Sequence, residues 1–154
     1  MTETVVKKKP NKTLVLAFPG SGKTHMANAY ANVDDHDSPF YHLPSLKKDI
    51  EASDKDVVVV PLVGMPEWYD GVGDLNVIIA TPEPSCVGEY LDRYKNRKTP
   101  DHIGERFAKE IPMMYHKVDR LHRFKHKKLF LKPKQFLADA LKEHGVHLEP
   151  KEKD

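Results

Sequence analysis

The sequence contains few of the features that mark secreted or membrane proteins. Its only cysteine is Cys86, so no disulfide can form within the 154 residues. No apolar run approaches the roughly 20 residues that a membrane-spanning helix needs. The basic N-terminus, with Lys7, Lys8 and Lys9, is not followed by the apolar stretch of a signal peptide. We therefore expect a cytoplasmic protein with no membrane partner.

The chain also lacks a strong overall charge. Its formal net charge is only +2, so the overall balance does not demand a nucleic-acid partner. The distribution is uneven, because the stretch from Arg120 to Lys134 holds seven Lys or Arg and no Asp or Glu. This stretch is either an ordinary solvated surface or a patch that faces phosphate groups. DNA contact through Arg120–Lys134 is the second interpretation.

Short apolar runs alternate with helical patterns along the sequence. The apolar runs predict five strands, at residues 13–18, 32–35, 57–60, 75–80 and 128–131. This alternation predicts an α/β fold, in which a parallel sheet of about five strands has helices on both faces. We expect a single domain over residues 13–148, preceded by a flexible N-terminal segment at residues 1–12.

Four helices are predicted from apolar spacing and from the residues that start and stop helices. They cover about 24–31, 85–96, 101–123 and 133–144. Ser85 is expected to cap the start of the second helix, and Pro112 to kink or interrupt the third. Gly145 is expected to cap the end of the last helix.

A glycine-rich run between the first predicted strand and helix is the clearest motif. It reads Ala17-Phe18-Pro19-Gly20-Ser21-Gly22-Lys23-Thr24, with Ala17 where the full phosphate-loop pattern has glycine. Glycine lets backbone N–H groups approach a polyphosphate, and the helix start adds a positive dipole end. Lys23 can reach the β- and γ-phosphates, and the Thr24 hydroxyl can bind magnesium. The motif predicts that residues 19–24 bind ATP and Mg²⁺.

Acidic residues favour a kinase over a nucleotide-driven switch or motor. A motor usually has a strand that ends in an acid for magnesium, but the third and fourth predicted strands end in Pro61 and Thr81. The acids instead follow the second strand, as Asp34, Asp35 and Asp37. They should meet the phosphate loop at the carboxyl edge of the sheet. There a carboxylate could be the general base for an acceptor hydroxyl, or could hold magnesium through water or cap a turn.

Two arginines lie four residues apart in the second predicted helix. At this spacing Arg93 and Arg97 share a helix face. Their guanidinium groups could clamp a polyphosphate and neutralise the charge that develops during phosphoryl transfer. In the alternative, the face is solvated and Arg93 pairs with Glu89, four residues earlier. The spacing alone leaves both interpretations open.

Four segments together resemble a small P-loop kinase family that is common in bacteriophages and is described as nucleoside monophosphate kinase-like. The segments are residues 17–24, 35–38, 90–97 and 131–137. The resemblance implies a P-loop kinase fold, with ATP and magnesium bound by Lys23 and Thr24. It also implies that Asp35 or Asp37 faces the acceptor, and that Arg93 and Arg97 are lid arginines over the transferring phosphoryl group. The family commonly has glycine where this chain has Lys98.

The resemblance also implies a substrate class. Relatives act in phage pathways that hypermodify thymine-type bases, where a kinase phosphorylates 5-hydroxymethyluracil within DNA. We therefore expect an ATP-dependent phosphotransferase in the host-cell cytoplasm that acts on this modified DNA base. One alternative is a nucleoside monophosphate kinase. An alternative of another class is a non-catalytic ATP-binding module that regulates a partner.

Overall fold

A computed structural model describes residues 12–35, 48, 50–62, 76–120 and 127–151. Parts of the sequence-based predictions lie outside these ranges. They are the flexible N-terminal segment up to residue 11, the first residue of the fourth predicted strand (75), the end of the third predicted helix (121–123), the acceptor role of Asp37, and the central part of the basic stretch at residues 121–126.

Five strands form a single sheet in which all neighbouring strands run parallel. Their bounds are Thr13–Ala17 (β1), Val33–Asp35 (β2), Val57–Pro61 (β3), Asn76–Pro82 (β4) and Lys127–Leu131 (β5). The strand order is β2-β3-β1-β4-β5, so β1 lies at the centre of the sheet. The predicted α/β fold with a five-stranded parallel sheet is therefore confirmed. The glycine-rich loop follows the central strand β1.

Helices cover both faces of this sheet. Their bounds are Lys23–Ala29 (α1), Val87–Asn96 (α2), Asp101–Asp119 (α3) and Leu137–Glu143 (α4). Leu14 and Leu16 of β1 belong to a buried cluster with side chains of α2 and α3, whereas Val15 and Ala17 belong to one with side chains of α1 and α4. Alternate residues of a strand point to opposite faces, so a continuous apolar strand serves both cores. Among the described residues, no helix combines the length and the apolar character needed to cross a membrane.

The second predicted helix starts differently from the prediction. Ser85 does not cap it, because a short 3-10 turn covers Pro84–Cys86 and α2 begins at Val87. Proline suits the first position of a helical turn, where its missing N–H is not needed and its fixed φ is already helical. Pro84 thus begins the turn one residue before the predicted cap.

The last helix begins later than predicted, at Leu137 rather than at Pro133. Residues 133 and 134 form a turn in which Lys134 has a positive φ of 67°, which no helix accommodates. The carboxylate of Asp139 accepts a hydrogen bond of 3.1 Å from the backbone N–H of Phe136, and this contact fixes the start of the helix at Leu137. The predicted end is confirmed, since Gly145 follows the helix with φ 83°.

The third predicted helix passes through its proline without a break. Helix α3 is continuous from residue 101 to residue 119 although Pro112 lies inside it, so the predicted interruption does not occur. A proline in the second half of a helix deprives only one carbonyl of its partner, here that of Ala108. The buried face of α3, which includes Ile111, Met114 and Val118, secures the helix on both sides of that position.

Candidate active site

The phosphate loop leaves the sheet at the carboxyl end of its central strand. Backbone hydrogen bonds fix this exit, from Phe18 N–H to the Ala80 carbonyl (3.1 Å) and from Leu62 N–H to the Ala17 carbonyl (2.8 Å). Gly20 and Gly22 then have φ of 89° and 109°, a region that residues with a side chain rarely adopt. Gly22 is the N-cap residue, directly before α1. The two glycines of the motif are therefore required by the backbone of the loop.

Tyr94 of α2 supports this loop at Pro19 and Gly20. Its hydroxyl donates a hydrogen bond of 2.6 Å to the carbonyl of Pro19. A Cβ atom on Gly20 would lie 2.7 Å from the Tyr94 ring, which is closer than real Cβ atoms approach. Burial raises the pKa of the Tyr94 hydroxyl above its ordinary value, so the group remains a donor. Tyr94 lies in the segment of residues 90–97 that carries part of the family resemblance, but helical spacing does not reveal its contact with the loop.

The two chemically active side chains of the motif lie beside Asp35. The Thr24 hydroxyl donates a hydrogen bond of 3.1 Å to the Asp35 carboxylate, and the Lys23 ammonium lies 4.0 Å from its other oxygen. Asp35 is the last residue of β2, so the predicted convergence at the carboxyl edge of the sheet is observed for this residue. Its neighbour Asp34 is bound elsewhere, since it accepts a hydrogen bond of 2.8 Å from the Ser53 hydroxyl.

The oxygens of Thr24 and Asp35 fit a magnesium site. Magnesium prefers hard oxygen ligands, and it usually takes only one or two from the protein while water and phosphate oxygens complete the octahedron. The Asp35 oxygen nearer to Lys23 is buried and accepts no hydrogen bond from the residues that the structure describes. These two residues are therefore the candidates for holding Mg²⁺.

Arg93 binds three parts of the site at once. Its Nη1 donates a hydrogen bond of 2.9 Å to the carbonyl of Gly20 in the phosphate loop. Its Nη2 donates to the Gln135 carbonyl at 3.1 Å and to the Glu89 carboxylate at 2.6 Å. The pair with Glu89 that the spacing allowed is thus present, but Arg93 is 11% exposed rather than solvated. The contacts join α2, the loop and the turn before α4.

Two aromatic rings and the carboxylate of Glu89 hold Arg93 in this position. The guanidinium lies 4.3 Å from the ring centroid of Tyr90 and 4.0 Å from that of Phe136. Glu89 also accepts a hydrogen bond of 2.7 Å from the backbone N–H of Lys134. Phe136 and Glu89 were not identified as site residues from the sequence. Phe136 lies in the segment of residues 131–137 that carries part of the family resemblance, which was the available signal.

Arg97 is placed differently from Arg93, at the end of α2. It is exposed and terminates the helix, and the next residue, Lys98, has φ 59°. The N–H of Thr99 donates to the Tyr94 carbonyl (2.9 Å) and that of Lys98 to the Lys95 carbonyl (3.0 Å). These two bonds are typical of an α-helix that is followed by a residue with a left-handed backbone conformation. Lys98 therefore adopts the left-handed conformation that glycine most often supplies at such a helix end.

A cavity of about 480 Å³ opens over the phosphate loop. It brings Lys23 and Thr24 together with both arginines that the sequence singled out. Phe136, which is 45% exposed, forms an apolar part of its wall. The full lining is Gly20, Gly22, Lys23, Thr24, His25, Arg93, Asn96, Arg97 and Phe136. This volume suits a nucleotide-sized ligand.

No family model and no curated protein matches the chain. Among solved structures, the chain is similar to the tunicamycin resistance protein of Deinococcus radiodurans, with a TM-score of 0.47 and 12% sequence identity. That match covers 92% of this chain and 100% of the other.

The described part of the basic stretch lies around β5. Arg120, Lys127, Lys132 and Lys134 are exposed there. Lys128 is partly buried, and its ammonium donates to the carbonyl of Asp119 at 3.2 Å. Four exposed cations thus remain accessible near an edge strand of the sheet.

Proposed function

We propose that the protein is an ATP-dependent phosphotransferase whose acceptor is derived from nucleic acid. The observation that carries this proposal is the geometry of the phosphate loop. Gly20 and Gly22 have positive φ, and Lys23 and Thr24 line a cavity of about 480 Å³ beside the Asp35 carboxylate. Such a loop at a helix start is suited to a polyphosphate, because N–H groups and the helix dipole both favour negative charge.

In this proposal ATP binds in the cavity with its phosphates on the loop and its base towards Phe136. Lys23 would contact the β- and γ-phosphates, while Thr24 and Asp35 would hold magnesium against the same oxygens. Bound Mg²⁺ would neutralise part of the negative charge of the phosphates. Phe136 is exposed, lines the same cavity and offers a ring surface for a base. Stacking of this kind contributes about 1–3 kcal/mol per base.

In the proposed transfer, an acceptor oxygen forms a bond to the γ-phosphorus. The bond from that phosphorus to the β,γ-bridging oxygen breaks, and ADP leaves with the electron pair. A hydroxyl acceptor must lose its proton to a general base. We assign this role to Asp37, with Asp35 as the second candidate. Arg97 would neutralise charge on the transferring group, because it lines the cavity and is exposed. Lys23 holds the phosphates throughout.

The acceptor that we favour is 5-hydroxymethyluracil within phage DNA. Acidic residues at the carboxyl end of β2 suit a hydroxyl nucleophile, since a phosphate acceptor is already ionised and needs no base. The exposed cations around β5 suit a DNA backbone. A base within a duplex would have to flip out, at a cost of a few kcal/mol. A free nucleoside monophosphate is the second candidate, because the net charge of the chain is only +2.

The test is an acceptor panel with γ-labelled ATP. The panel contains DNA with 5-hydroxymethyluracil, ordinary DNA of the same sequence, and free nucleoside monophosphates. We expect label only in the modified DNA, with transfer that falls steeply as salt rises, because contacts to the DNA backbone are salt-sensitive. Label in a free monophosphate and none in DNA would replace the first acceptor by the second.

A further inference from the structure

A second cavity borders the phosphate loop. Its volume is about 360 Å³, and Pro19 contributes to its wall. The next residue, Gly20, lines the first cavity. The remaining wall comes from Pro61 and Leu62, at the carboxyl end of β3, and from one face of α3. The phosphate loop therefore borders two cavities, each large enough for a nucleotide.

The α3 wall combines cations with an apolar surface. Arg106, Glu110, Met113 and Lys117 line the cavity at helical spacing. Both cations and Met113 are exposed, and Glu110 is partly buried. Two positive charges against one negative charge favour an anionic ligand. The side chains of Met113 and of the partly buried Phe107 provide an apolar surface beside these charges.

Exposed apolar side chains point to the same two cavities. Among the described residues, Met113 (59% exposed) and Phe136 (45% exposed) are the large apolar side chains that remain open to solvent. Phe136 lines the first cavity and Met113 lines the second. An apolar side chain beside cations is the chemistry that receives an aromatic base joined to a phosphate.

We propose that the second cavity binds the acceptor nucleotide, with its base against Met113 and its phosphate near Arg106 and Lys117. This inference rests on the proposed function, since it assigns the acceptor half of the same site. Lys23 and Thr24 lie in the first cavity, which therefore takes the donor. The two cavities border the same loop and share no lining residue, so a ligand in the second cavity need not displace ATP from the first. The ligand is a nucleotide, either free or within a DNA strand.

The test measures acceptor binding separately from ATP binding and from turnover. Isothermal titration with AMP-PNP, a non-hydrolysable ATP analogue, gives the affinity of the donor site. Titration with thymidine 5′-monophosphate, and with a single-stranded oligonucleotide that contains 5-hydroxymethyluracil, gives the affinity of the second cavity and distinguishes a free nucleotide from DNA. The variants are Arg106→Gln and Met113→Glu. The matched control is Lys109→Gln, an exposed cation of the same helix that lines neither cavity.

We expect Arg106→Gln and Met113→Glu to weaken binding of the preferred probe by about tenfold or more, while AMP-PNP affinity is unchanged. For the oligonucleotide, Arg106→Gln should also reduce the salt dependence of binding. Lys109→Gln should bind like the wild type. Wild-type affinity in both cavity variants, or a wild type that binds AMP-PNP and neither probe, would overturn the acceptor cavity. A wild type that binds a probe through Arg106 but does not bind AMP-PNP would support the cavity and contradict the ATP proposal.

Discussion

The hydroxyl of Thr24 donates a hydrogen bond of 3.1 Å to the carboxylate of Asp35. Thr24 lies in the first turn of α1 and Asp35 is the last residue of β2, so the contact ties the phosphate loop to an edge strand of the sheet. The sequence left open whether Asp35 serves the acceptor or the metal. The threonine hydroxyl of such a loop binds magnesium. Its hydrogen bond to Asp35 therefore favours a role for Asp35 in magnesium binding over a role at the acceptor.

Asp35→Asn should therefore change the magnesium dependence of phosphoryl transfer. Loss of a carboxylate beside a metal ligand typically costs about 10–100-fold in metal affinity, so the Mg²⁺ concentration at half-maximal rate should rise by that order. Asp34→Asn is the control, since Asp34 is bound to Ser53 and should leave the magnesium dependence unchanged. An Asp35→Asn enzyme with normal magnesium dependence and a maximal rate lowered by roughly 10²–10⁴-fold would make Asp35 the general base instead.

Arg93→Gln and Arg97→Gln should separate loop support from catalysis. Arg93→Gln removes the bonds to Gly20, Gln135 and Glu89, and should lower the free energy of unfolding by about 1.5–3 kcal/mol. Arg97→Gln should leave stability unchanged, because Arg97 is exposed, and should lower the transfer rate by roughly 10²–10³-fold.

Thermal unfolding and initial rates measure the two effects. Arg93→Lys should not restore stability, because an ammonium lacks the planar fork that reaches two carbonyls and a carboxylate. Equal stability of the Arg93→Gln variant and the wild type would contradict the supporting role of Arg93.

Gly20→Ala should lose both stability and nucleotide binding. Its φ of 89° costs a residue with a side chain about 1–2 kcal/mol, and the new methyl group would lie 2.7 Å from the Tyr94 ring. Gly88→Ala is the matched control, since Gly88 lies within α2 and its Cβ would meet open space. That control should stabilise the protein by roughly 0.5–1 kcal/mol. Chemical denaturation of both variants tests the pair, and a Gly20→Ala protein as stable as the wild type would refute the loop geometry.

Phe136→Ala should weaken ATP binding without weakening the grip on phosphate. Loss of one stacking surface costs about 1–3 kcal/mol, so the Kd for ATP should rise roughly 5- to 150-fold. Inorganic tripolyphosphate has no base, and its Kd should stay the same. Equal losses for ATP and tripolyphosphate would show that Phe136 acts only through Arg93, on which its ring packs.

The sequence predicted those features that depend on local pattern. The continuous apolar strands, the glycine loop at residues 19–24 and the helix end at Gly145 each reflect a short-range rule. The bond from Arg93 to Gly20 joins residues 73 positions apart, and that from Tyr94 to Pro19 joins residues 75 positions apart. Helical spacing showed that Arg93 and Arg97 share a helix, but only tertiary packing buries the first and exposes the second.

The central claim is that the phosphate loop transfers the γ-phosphoryl group of ATP to an acceptor. Its most direct test measures loss of label from γ-labelled ATP with and without the acceptor panel, for the wild type and for Lys23→Ala. Lys95→Ala, an exposed lysine of α2 that lines neither nucleotide cavity, is the control. We predict acceptor-dependent transfer by the wild type and Lys95→Ala, and a loss of roughly 100-fold or more in a folded Lys23→Ala protein. Equal transfer by a folded Lys23→Ala protein would contradict the account, and loss of label that is independent of any acceptor would indicate a regulatory nucleotide-binding module instead.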